Sequence, residues 1–191
     1  MEQITGVILA GGKAQRFGGI PKLSVRVDGL SIFERMDEVL SSVFKDKLIV
    51  INEPEGVTIP SSFNIARDII KDKGPMGGIY SALQNTKNST AVFVFAGDMP
   101  YLDEMLINKM IYHYFKSDTE ALIPKVYDKY EPLHGIYCIS LVKKIEAYLK
   151  SDINPSVIAF LKMINAEFFD LEGTMEIKRA FTNINSPNDL F

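Results

Sequence analysis

The sequence has few of the residues that build disulfide frameworks and metal clusters, with one cysteine, two histidines and no tryptophan among its 191 residues. The lone Cys138 excludes an internal disulfide and a cysteine-rich metal site, and it suits a reducing compartment. We expect it to be a small buried residue of a strand. His113 and His134 lack an Asp or Cys partner at ligand spacing, which favours structural roles over zinc binding or acid–base catalysis.

Excess basic charge and long apolar runs are absent as well. The formal net charge is -3 and the pI is about 5.5, so no basic field attracts a polyanion and we expect no nucleic-acid partner. The first three residues, Met1 to Gln3, carry no basic stretch, and the apolar run at 6–10 is far shorter than a signal or membrane-spanning segment. These features predict a cytoplasmic protein without a membrane partner.

The order of the apolar patterns predicts an α/β fold. With 47% hydrophobic and 24% charged residues the chain has a globular composition, and its length suits one domain over 1–191. Short apolar runs, typical of strands buried on both faces, lie at 4–10, 48–51 and 91–96. Helical spacing follows Ser31, with Glu34 completing a capping box, and recurs at 78–83. This alternation implies a mostly parallel sheet with helices on both faces.

The later part of the chain continues this alternation. Asp103-Glu104 opens a predicted helix, with acidic charge well placed against the helix macrodipole. Further elements are predicted as strands at 121–124 and 133–139 around a turn at 127–129, two helical stretches after 141 broken near 154–155, a last strand near 180–184 and a helix start at 186–187. Ligands on such sheets bind at the carboxyl ends of the strands.

The segment 9–22, which follows the first predicted strand, is the most informative in the sequence. Its four glycines let backbone N–H groups approach phosphate oxygens, while Arg16 and Lys22 supply positive charge. It matches neither the P-loop spacing nor the dinucleotide-binding spacing, so kinase, GTPase and dehydrogenase functions lose their main support. The alternative is an ordinary surface loop, but its place directly after a buried strand favours phosphate binding.

An aspartate, Asp98, follows the end of the third apolar run at the edge where the first loop is also predicted to lie. A hard carboxylate there can hold Mg²⁺ while the ion bridges triphosphate oxygens. The alternative is that Asp98 caps the next helix, although Asp103 is better placed for capping. The sequence therefore predicts a magnesium ligand at Asp98.

Two further loops are predicted to close the same edge. Asn52 ends the second strand, and Asp68 precedes the glycine-rich segment 74–79, whose glycines would let the backbone pass close to a ligand. Asn52 and Asp68 can hydrogen-bond a sugar or a base, and either can equally terminate a turn. Both interpretations stay open at this point.

Four motifs spread over nearly the whole chain carry a family resemblance. They are Leu9-Ala10-Gly11-Gly12 with Arg16, Gly18-Gly19 and Lys22; Gly74-Pro75-Met76-Gly77-Gly78-Ile79; Gly97-Asp98-Met99-Pro100; and Asn183-Ile184-Asn185-Ser186-Pro187. Together they resemble the molybdenum cofactor guanylyltransferases, the MobA family. The first motif fits the wider nucleotidyltransferase superfamily, including sugar-phosphate and isoprenoid cytidylyltransferases, whereas the second and fourth narrow the resemblance.

The resemblance implies a single-domain, Rossmann-like three-layer sandwich that transfers GMP from GTP to the phosphate of molybdenum-bound molybdopterin and releases pyrophosphate. It also implies transient contacts with proteins that deliver or accept the cofactor. By motif position it implies GTP contacts at Leu9, Ala10, Gly11, Gly12, Lys22, Asn52, Asp68 and Asp98, acceptor contacts at Arg16, Gly19, Asn183 and Asn185, Mg²⁺ on Asp98, and catalytic roles for Arg16, Lys22 and Asp98.

The sequence departs from the family pattern at two places and leaves two other functions open. Pro21 stands where relatives often have Asp, and 154–156 lacks the arginine that relatives often place there for the acceptor phosphate. The rivals are a CTP-using transferase acting on molybdopterin or another phosphorylated small molecule, and a catalytically idle nucleotide-sensing domain. Gly11 bears on the first rival, because guanine-using relatives carry glycine there and cytidylyltransferases typically carry alanine.

Overall fold

The computed structural model describes residues 3–11, 20–54, 56–151, 154–185 and 189, together with the backbone of 16–17. The main sheet is mixed, and its strands run in the spatial order β10-β9-β11-β8-β1-β6-β7, with β12 paired to β9. The strands are β1 Ile4–Leu9, β2 Arg16–Phe17, β3 Ile20–Pro21, β4 Arg26–Val27, β5 Leu30–Ser31, β6 Lys47–Val50, β7 Phe63–Ala66, β8 Ala91–Ala96, β9 Ala121–Val126, β10 Lys129–Tyr130, β11 His134–Cys138 and β12 Ala166–Leu171.

Helices cover both faces of this sheet. They are α1 Ile32–Val43, α2 Gly74–Asn85, α3 Glu104–Tyr114, α4 Val142–Ser151, α5 Val157–Leu161 and α6 Met175–Ala180. One apolar cluster joins α1 and α3 to one face, through residues such as Met36 and Met110. A second cluster joins α2, α4 and α5 to the other face, through residues such as Ile79 and Phe160. The predicted three-layer α/β architecture is confirmed.

The strand directions divide the sheet into two halves. β7, β6, β1 and β8 are mutually parallel, so their carboxyl ends meet at one edge. β11 runs antiparallel to β8 and to β9, which makes β9 parallel to β8, and β12 pairs with β9 in parallel. The sheet therefore keeps one carboxyl edge for β1, β6, β7, β8, β9 and β12, interrupted by the amino end of β11.

Side-chain caps explain where several helices begin. The Ser31 hydroxyl accepts from the Glu34 backbone N–H, and the Glu34 carboxylate accepts from the Ser31 N–H at 2.7 Å, which satisfies two otherwise unpaired donors. Asp103 accepts from the Leu106 N–H at 2.8 Å and so caps α3. Since Asp103 performs this task, Asp98 is not needed as the cap of that helix.

Two predictions about local structure are wrong. The residues near 180–184 do not form a strand, because α6 extends to Ala180 and the following residues turn back so that Ala180 and Ile184 both enter the core. A strand that buried both would also bury Thr182 on the same face, but Thr182 is exposed. Strands β7 and β12 and helix α6 were not predicted. The exposed positions of the two strands weaken their apolar patterns.

The glycine-rich segment 74–79, which is predicted as part of a loop, is helical instead. It forms the first turns of α2, with Pro75 in the opening turn, where proline is well tolerated. A Cβ on Gly78 would lie 3.2 Å from a methyl carbon of Leu9, and one on Gly77 would lie 3.1 Å from the Ile70 carbonyl oxygen. Gly78 thus allows α2 to pack closely on β1, and Gly77 allows it to pack on the loop that contains Ile70. In the described part of the chain, no helix combines the length and apolarity needed to cross a membrane.

Candidate active site

The polar residues singled out from the sequence lie along the carboxyl edge of the parallel half of the sheet. Gly11 follows β1, Asn52 follows β6, Asp68 follows β7 and Asp98 follows β8. Backbone bonds tie these ends together, since Gly97 N–H donates to the Leu9 carbonyl at 2.9 Å and Ala10 N–H donates to the Val50 carbonyl at 2.9 Å. The edge therefore presents these residues on a fixed frame.

Lys22, Asp98 and Asn185 converge from three distant parts of the sequence. The Lys22 Nζ lies 3.3 Å from the Asp98 Oδ2 and donates to the Asn185 Oδ1 at 2.8 Å. The Lys22 and Asp98 side chains are 16% and 22% exposed, so a ligand can reach both. Ile184 N–H donates to the Asp98 carbonyl at 2.9 Å, which fixes the C-terminal segment beside β8.

The first loop returns to the site through a short hairpin. β2 pairs with β3, so the backbone of Arg16 lies opposite Pro21, and a 3₁₀ turn at Lys22–Ser24 follows directly. Pro21 has φ -60° and ψ 136°, an extended conformation that suits proline. Proline before the loop lysine is therefore compatible with the contact between Lys22 and Asp98. The Arg16 side chain, Gly12 and Gly19 lie outside the described residues, as do the residues of the helix start expected at 186–187.

Gly11, Asn52 and Asp68 form a second group at the other end of the edge. Asn52 Nδ2 donates to the Asp68 Oδ2 at 2.8 Å, and the Asp68 N–H donates to the Asn52 Oδ1 at 2.9 Å. A Cβ on Gly11 would lie 3.3 Å from the Asp68 Oδ2 and 3.7 Å from the Asn52 Nδ2. Gly11 thus leaves free space directly in front of this pair.

The second oxygen of Asp68 is unusual. Asp68 Oδ1 is buried and has no hydrogen-bond partner within the described ranges. A buried carboxylate oxygen without a donor is costly, so a ligand that supplied an N–H or O–H group would be favoured here. Asn52 and Asp68 were left open as ligand contacts or turn residues, and the reciprocal bonds show that they also brace the ends of β6 and β7.

The other residues predicted to contact a ligand, Leu9, Ala10 and Asn183, differ in exposure. Leu9 is buried and contacts α2, and half-buried Ala10 lies where β1 ends, so each can meet a ligand chiefly through the backbone. Asn183 is exposed on the same segment as Asn185, two residues before the contact with Lys22. Asn183 thus lies near Asp98 by chain position, while Asn185 reaches Lys22 directly.

The Asp98 carboxylate suits a Mg²⁺ ion whose other ligands come mainly from a bound nucleotide. Mg²⁺ in such sites takes one or two carboxylates, and phosphate oxygens and waters complete its octahedral shell. Lys22 contacts Oδ2 of Asp98, and no residue that the structure describes hydrogen-bonds its Oδ1, which can therefore face a cation. Among the described residues no cluster of three or more His, Cys, Asp or Glu side chains could hold a metal on its own. A single carboxylate beside the ammonium group of Lys22 agrees with a metal that arrives with the nucleotide.

The histidines lie away from this chemistry. His134 is fully buried against the rings of Phe93, Phe95 and Phe181, and burial lowers its pKa to about 3. His113 contacts Glu167 and packs at its ring edge on Phe169. Both contacts are structural, as the sequence predicted. Cys138 is half-buried at the end of β11, where the Ser140 hydroxyl lies 3.0 Å from its sulfur.

Comparisons with known proteins show the family to which this chain is related. The model of the MobA-like NTP transferase domain matches residues 6–164, a span that begins within β1, runs past β11 and includes the carboxyl ends of β1, β6, β7 and β8. The chain belongs to this MobA-like family. It is 30% identical to the probable molybdenum cofactor guanylyltransferase of Natranaerobius thermophilus, over 99% of this chain and 94% of that protein.

Solved structures place the MobA-like chain among nucleotidyltransferase folds. Molybdopterin-guanine dinucleotide biosynthesis protein A from Archaeoglobus fulgidus is 25% identical and superposes with a TM-score of 0.80, covering 98% of this chain and 95% of that one. The 4-diphosphocytidyl-2C-methyl-D-erythritol synthase of Anaerococcus prevotii has a TM-score of 0.75 at 16% identity, covering 99% of this chain and 95% of that one. The latter similarity shows the fold alone.

Sequence reasoning missed two features of this edge. It gave no role to Glu131, a half-buried acid in the connection between β10 and β11. It also missed a cavity of about 340 Å³ beside Pro100 and Tyr101, where the guanidinium of Arg179 lies 4.5 Å from the centre of the Tyr101 ring. The sequence signal for Glu131 is its position just before the predicted strand that begins at Leu133.

Proposed function

We propose that the protein is a Mg²⁺-dependent molybdenum cofactor guanylyltransferase, which transfers GMP from GTP to the phosphate of molybdenum-bound molybdopterin. The observation that carries the proposal is the convergence of Lys22, Asp98 and Asn185 at the carboxyl edge of the parallel strands. Membership of the MobA-like family supplies the reaction class, and the guanylyltransferase name of the Natranaerobius thermophilus relative supports the choice of substrates.

The reaction joins two phosphates without a covalent enzyme intermediate. An oxygen of the acceptor phosphate attacks the α-phosphorus of GTP in line with the leaving group, and a new P–O bond forms. The bond from the α-phosphorus to the bridging oxygen breaks, and its electron pair leaves with pyrophosphate. Because the attacking oxygen is already ionised near neutral pH, the site needs no strong general base.

The residues of the site would act by positioning and by neutralising charge. Lys22, freed from Asp98 by the incoming nucleotide, offsets negative charge on the phosphates, and Asn185 keeps its ammonium group within the site. Asp98 would hold Mg²⁺, which neutralises the triphosphate and the departing pyrophosphate. Arg16 is proposed to add positive charge on the acceptor side. Fixed geometry of this kind lowers the entropic cost of bringing two anions together.

The nucleoside part of GTP would occupy the space in front of Gly11. Asn52 and Asp68 offer amide and carboxylate groups to the sugar or base, and the unpaired Oδ1 of Asp68 can accept from an N–H or O–H group. Pairing of that oxygen by the ligand relieves an existing cost and so contributes to affinity.

Pyrophosphate release measured with GTP, CTP and ATP in the presence of Mg²⁺ and molybdenum-bound molybdopterin tests the proposal. We expect release with GTP that depends on both the acceptor and the metal. Competition between GTP and CTP in one assay distinguishes the two transferases, since a preference for CTP would overturn guanylyl transfer. Nucleotide binding without any turnover would identify a sensing domain instead.

A further inference from the structure

Glu131 lies on the side of Asp98 that faces away from Asp68. Along the carboxyl edge the sheet order places β7, β6, β1 and β8 in sequence, followed by the connection that enters β11. This connection touches β8 directly, because the Ala96 N–H donates to the Leu133 carbonyl at 2.9 Å, two residues before Asp98. Asp68 and Glu131 thus flank the phosphate-binding centre from opposite sides.

The backbone of Glu131 is held firmly. Its N–H donates to the Pro124 carbonyl at 3.0 Å, and its carbonyl accepts from the His134 N–H at 3.0 Å. The ring of Tyr130, the preceding residue, packs on Phe168 of β12 with 4.6 Å between centroids. A side chain on such a frame can present a polar group to a ligand at low entropic cost.

The carboxylate of Glu131 is half-buried, and no residue in the described part of the chain donates a hydrogen bond to it. Burial raises the pKa of this carboxyl group above its ordinary value, and the charge of Lys129 only partly opposes that shift. An ionised carboxylate can accept several hydrogen bonds, so Glu131 has acceptor capacity that the described residues leave unused. Asp68, on the opposite side of Asp98, likewise has an oxygen with unused acceptor capacity, the buried Oδ1.

The proposed reaction supplies two ligand groups of matching chemistry. Guanine and the pterin ring both carry an aminopyrimidinone edge, on which a ring N–H and an exocyclic amino group lie side by side as donors. A carboxylate accepts such a pair through its two oxygens. The product of the reaction has one of these rings at each end of a pyrophosphate. In the described part of the chain, Asp68 and Glu131 place a carboxylate with unused acceptor capacity on each side of Lys22 and Asp98.

We propose that Glu131 is the residue that recognises the aminopyrimidinone edge of the acceptor's pterin ring, as the counterpart of Asp68 on the nucleotide side. This inference rests on the proposed function for the identity of the acceptor. It adds a ring-recognition contact to the acceptor residues Arg16, Gly19, Asn183 and Asn185, which the family resemblance assigns. It also gives the acceptor a fixed direction, with its phosphate at Lys22 and its ring towards β11.

Binding of free pterins, measured by their fluorescence in the absence of nucleotide, tests the contact. The probes are 2-amino-4-oxopteridine and its analogue 2,4-dioxopteridine, in which a carbonyl oxygen replaces the amino donor. We expect the wild-type protein to prefer the amino compound and Glu131→Gln to weaken its binding about tenfold, since charge-assisted hydrogen bonds are lost. The analogue should bind the two proteins equally.

Asp68→Asn is the matched control, because it removes one carboxylate charge from the same edge of the sheet. It should weaken GTP and leave the affinity for the aminopteridine unchanged, whereas Glu131→Gln should leave GTP affinity unchanged. Wild-type protein that fails to prefer 2-amino-4-oxopteridine would overturn the inference, as would a Glu131→Gln variant that loses GTP affinity instead. Two results together would separate the contact from the reaction. If only Glu131→Gln lost its selectivity for the aminopteridine and the wild-type protein released no pyrophosphate from GTP, the contact would be supported and the proposed reaction refuted.

Discussion

The two halves of the sheet build their share of the site in different ways. In the parallel half, β1, β6, β7 and β8 all end at the same edge, and each is followed within two residues by a candidate ligand contact. In the other half, β11 begins at that edge, so the edge is formed by the connection before β11 and by the C-terminal segment that lies on Asp98. The proposed nucleotide contacts thus come from residues that directly follow strands. The proposed acceptor contacts come from segments that tertiary contacts hold against the same edge.

Loss of the Asp98 charge should have the largest effect on turnover, because this residue lies where the two halves of the sheet meet. We expect Asp98→Asn to lower kcat on the order of 100- to 1,000-fold with unchanged thermal stability, since the residue is proposed to act through a metal ion. Asp103→Ala is the control after the same strand. It should lower the free energy of unfolding by about 1 kcal/mol through loss of the α3 cap while turnover is kept. Near-wild-type turnover by Asp98→Asn with Mg²⁺ present would remove the metal assignment.

Lys22→Ala should have the second-largest effect, and this effect should be mainly a loss of GTP affinity. Losing a charge-assisted contact to the triphosphate costs about 1.5 to 3 kcal/mol, so GTP affinity should fall roughly 10- to 100-fold. Isothermal titration with GTP and Mg²⁺ measures this. The exposed Lys87, before β8 at the opposite edge, provides a control of equal charge, and Lys87→Ala should bind GTP normally. An unchanged affinity in Lys22→Ala would reduce the first loop to a structural feature.

Gly11→Ala should alter the choice of base within the nucleotide half. A methyl group there would lie 3.3 Å from the Asp68 Oδ2, and its bulk should crowd a purine more than a pyrimidine. We expect the preference for GTP over CTP to narrow about tenfold in a competition assay, consistent with roughly 1 to 3 kcal/mol for overpacking. Gly97→Ala is the control. Its methyl group would meet the Leu9 carbonyl oxygen at 3.1 Å, which should weaken both nucleotides alike.

The smallest effects should separate the two asparagines of the C-terminal segment. Asn185→Ala removes the 2.8 Å bond to Lys22, so it should raise the KM for the acceptor and weaken GTP, each about five- to tenfold. Asn183→Ala should raise the acceptor KM alone. Steady-state kinetics with each substrate varied in turn measures both. GTP affinity lost in Asn183→Ala with acceptor KM unchanged would reverse the proposed acceptor role of that residue.

The sequence was most informative where function follows directly from a buried strand. The apolar runs that became β1, β6 and β8 predicted parallel strands, and the polar residues after them predicted the carboxyl edge. It was least informative in the C-terminal third, where an expected strand at 180–184 is the end of α6 and a turn, and where β12 was missed. An edge strand has one partly exposed face and one neighbour, so its apolar pattern is weak, and its pairing partner decides its conformation.

By itself, the sequence determined the α/β class, the caps at Ser31 and Asp103, and the residue types that follow each central strand, because these depend on local pattern and on neighbours a few positions away. Only the tertiary structure decided that Lys22 meets Asp98 and Asn185, that Asn52 and Asp68 bond to each other, and that Glu131 lies across the edge from Asp68. These contacts join residues up to 163 positions apart, and they form because hydrogen bonds between strands fix which chain ends become neighbours.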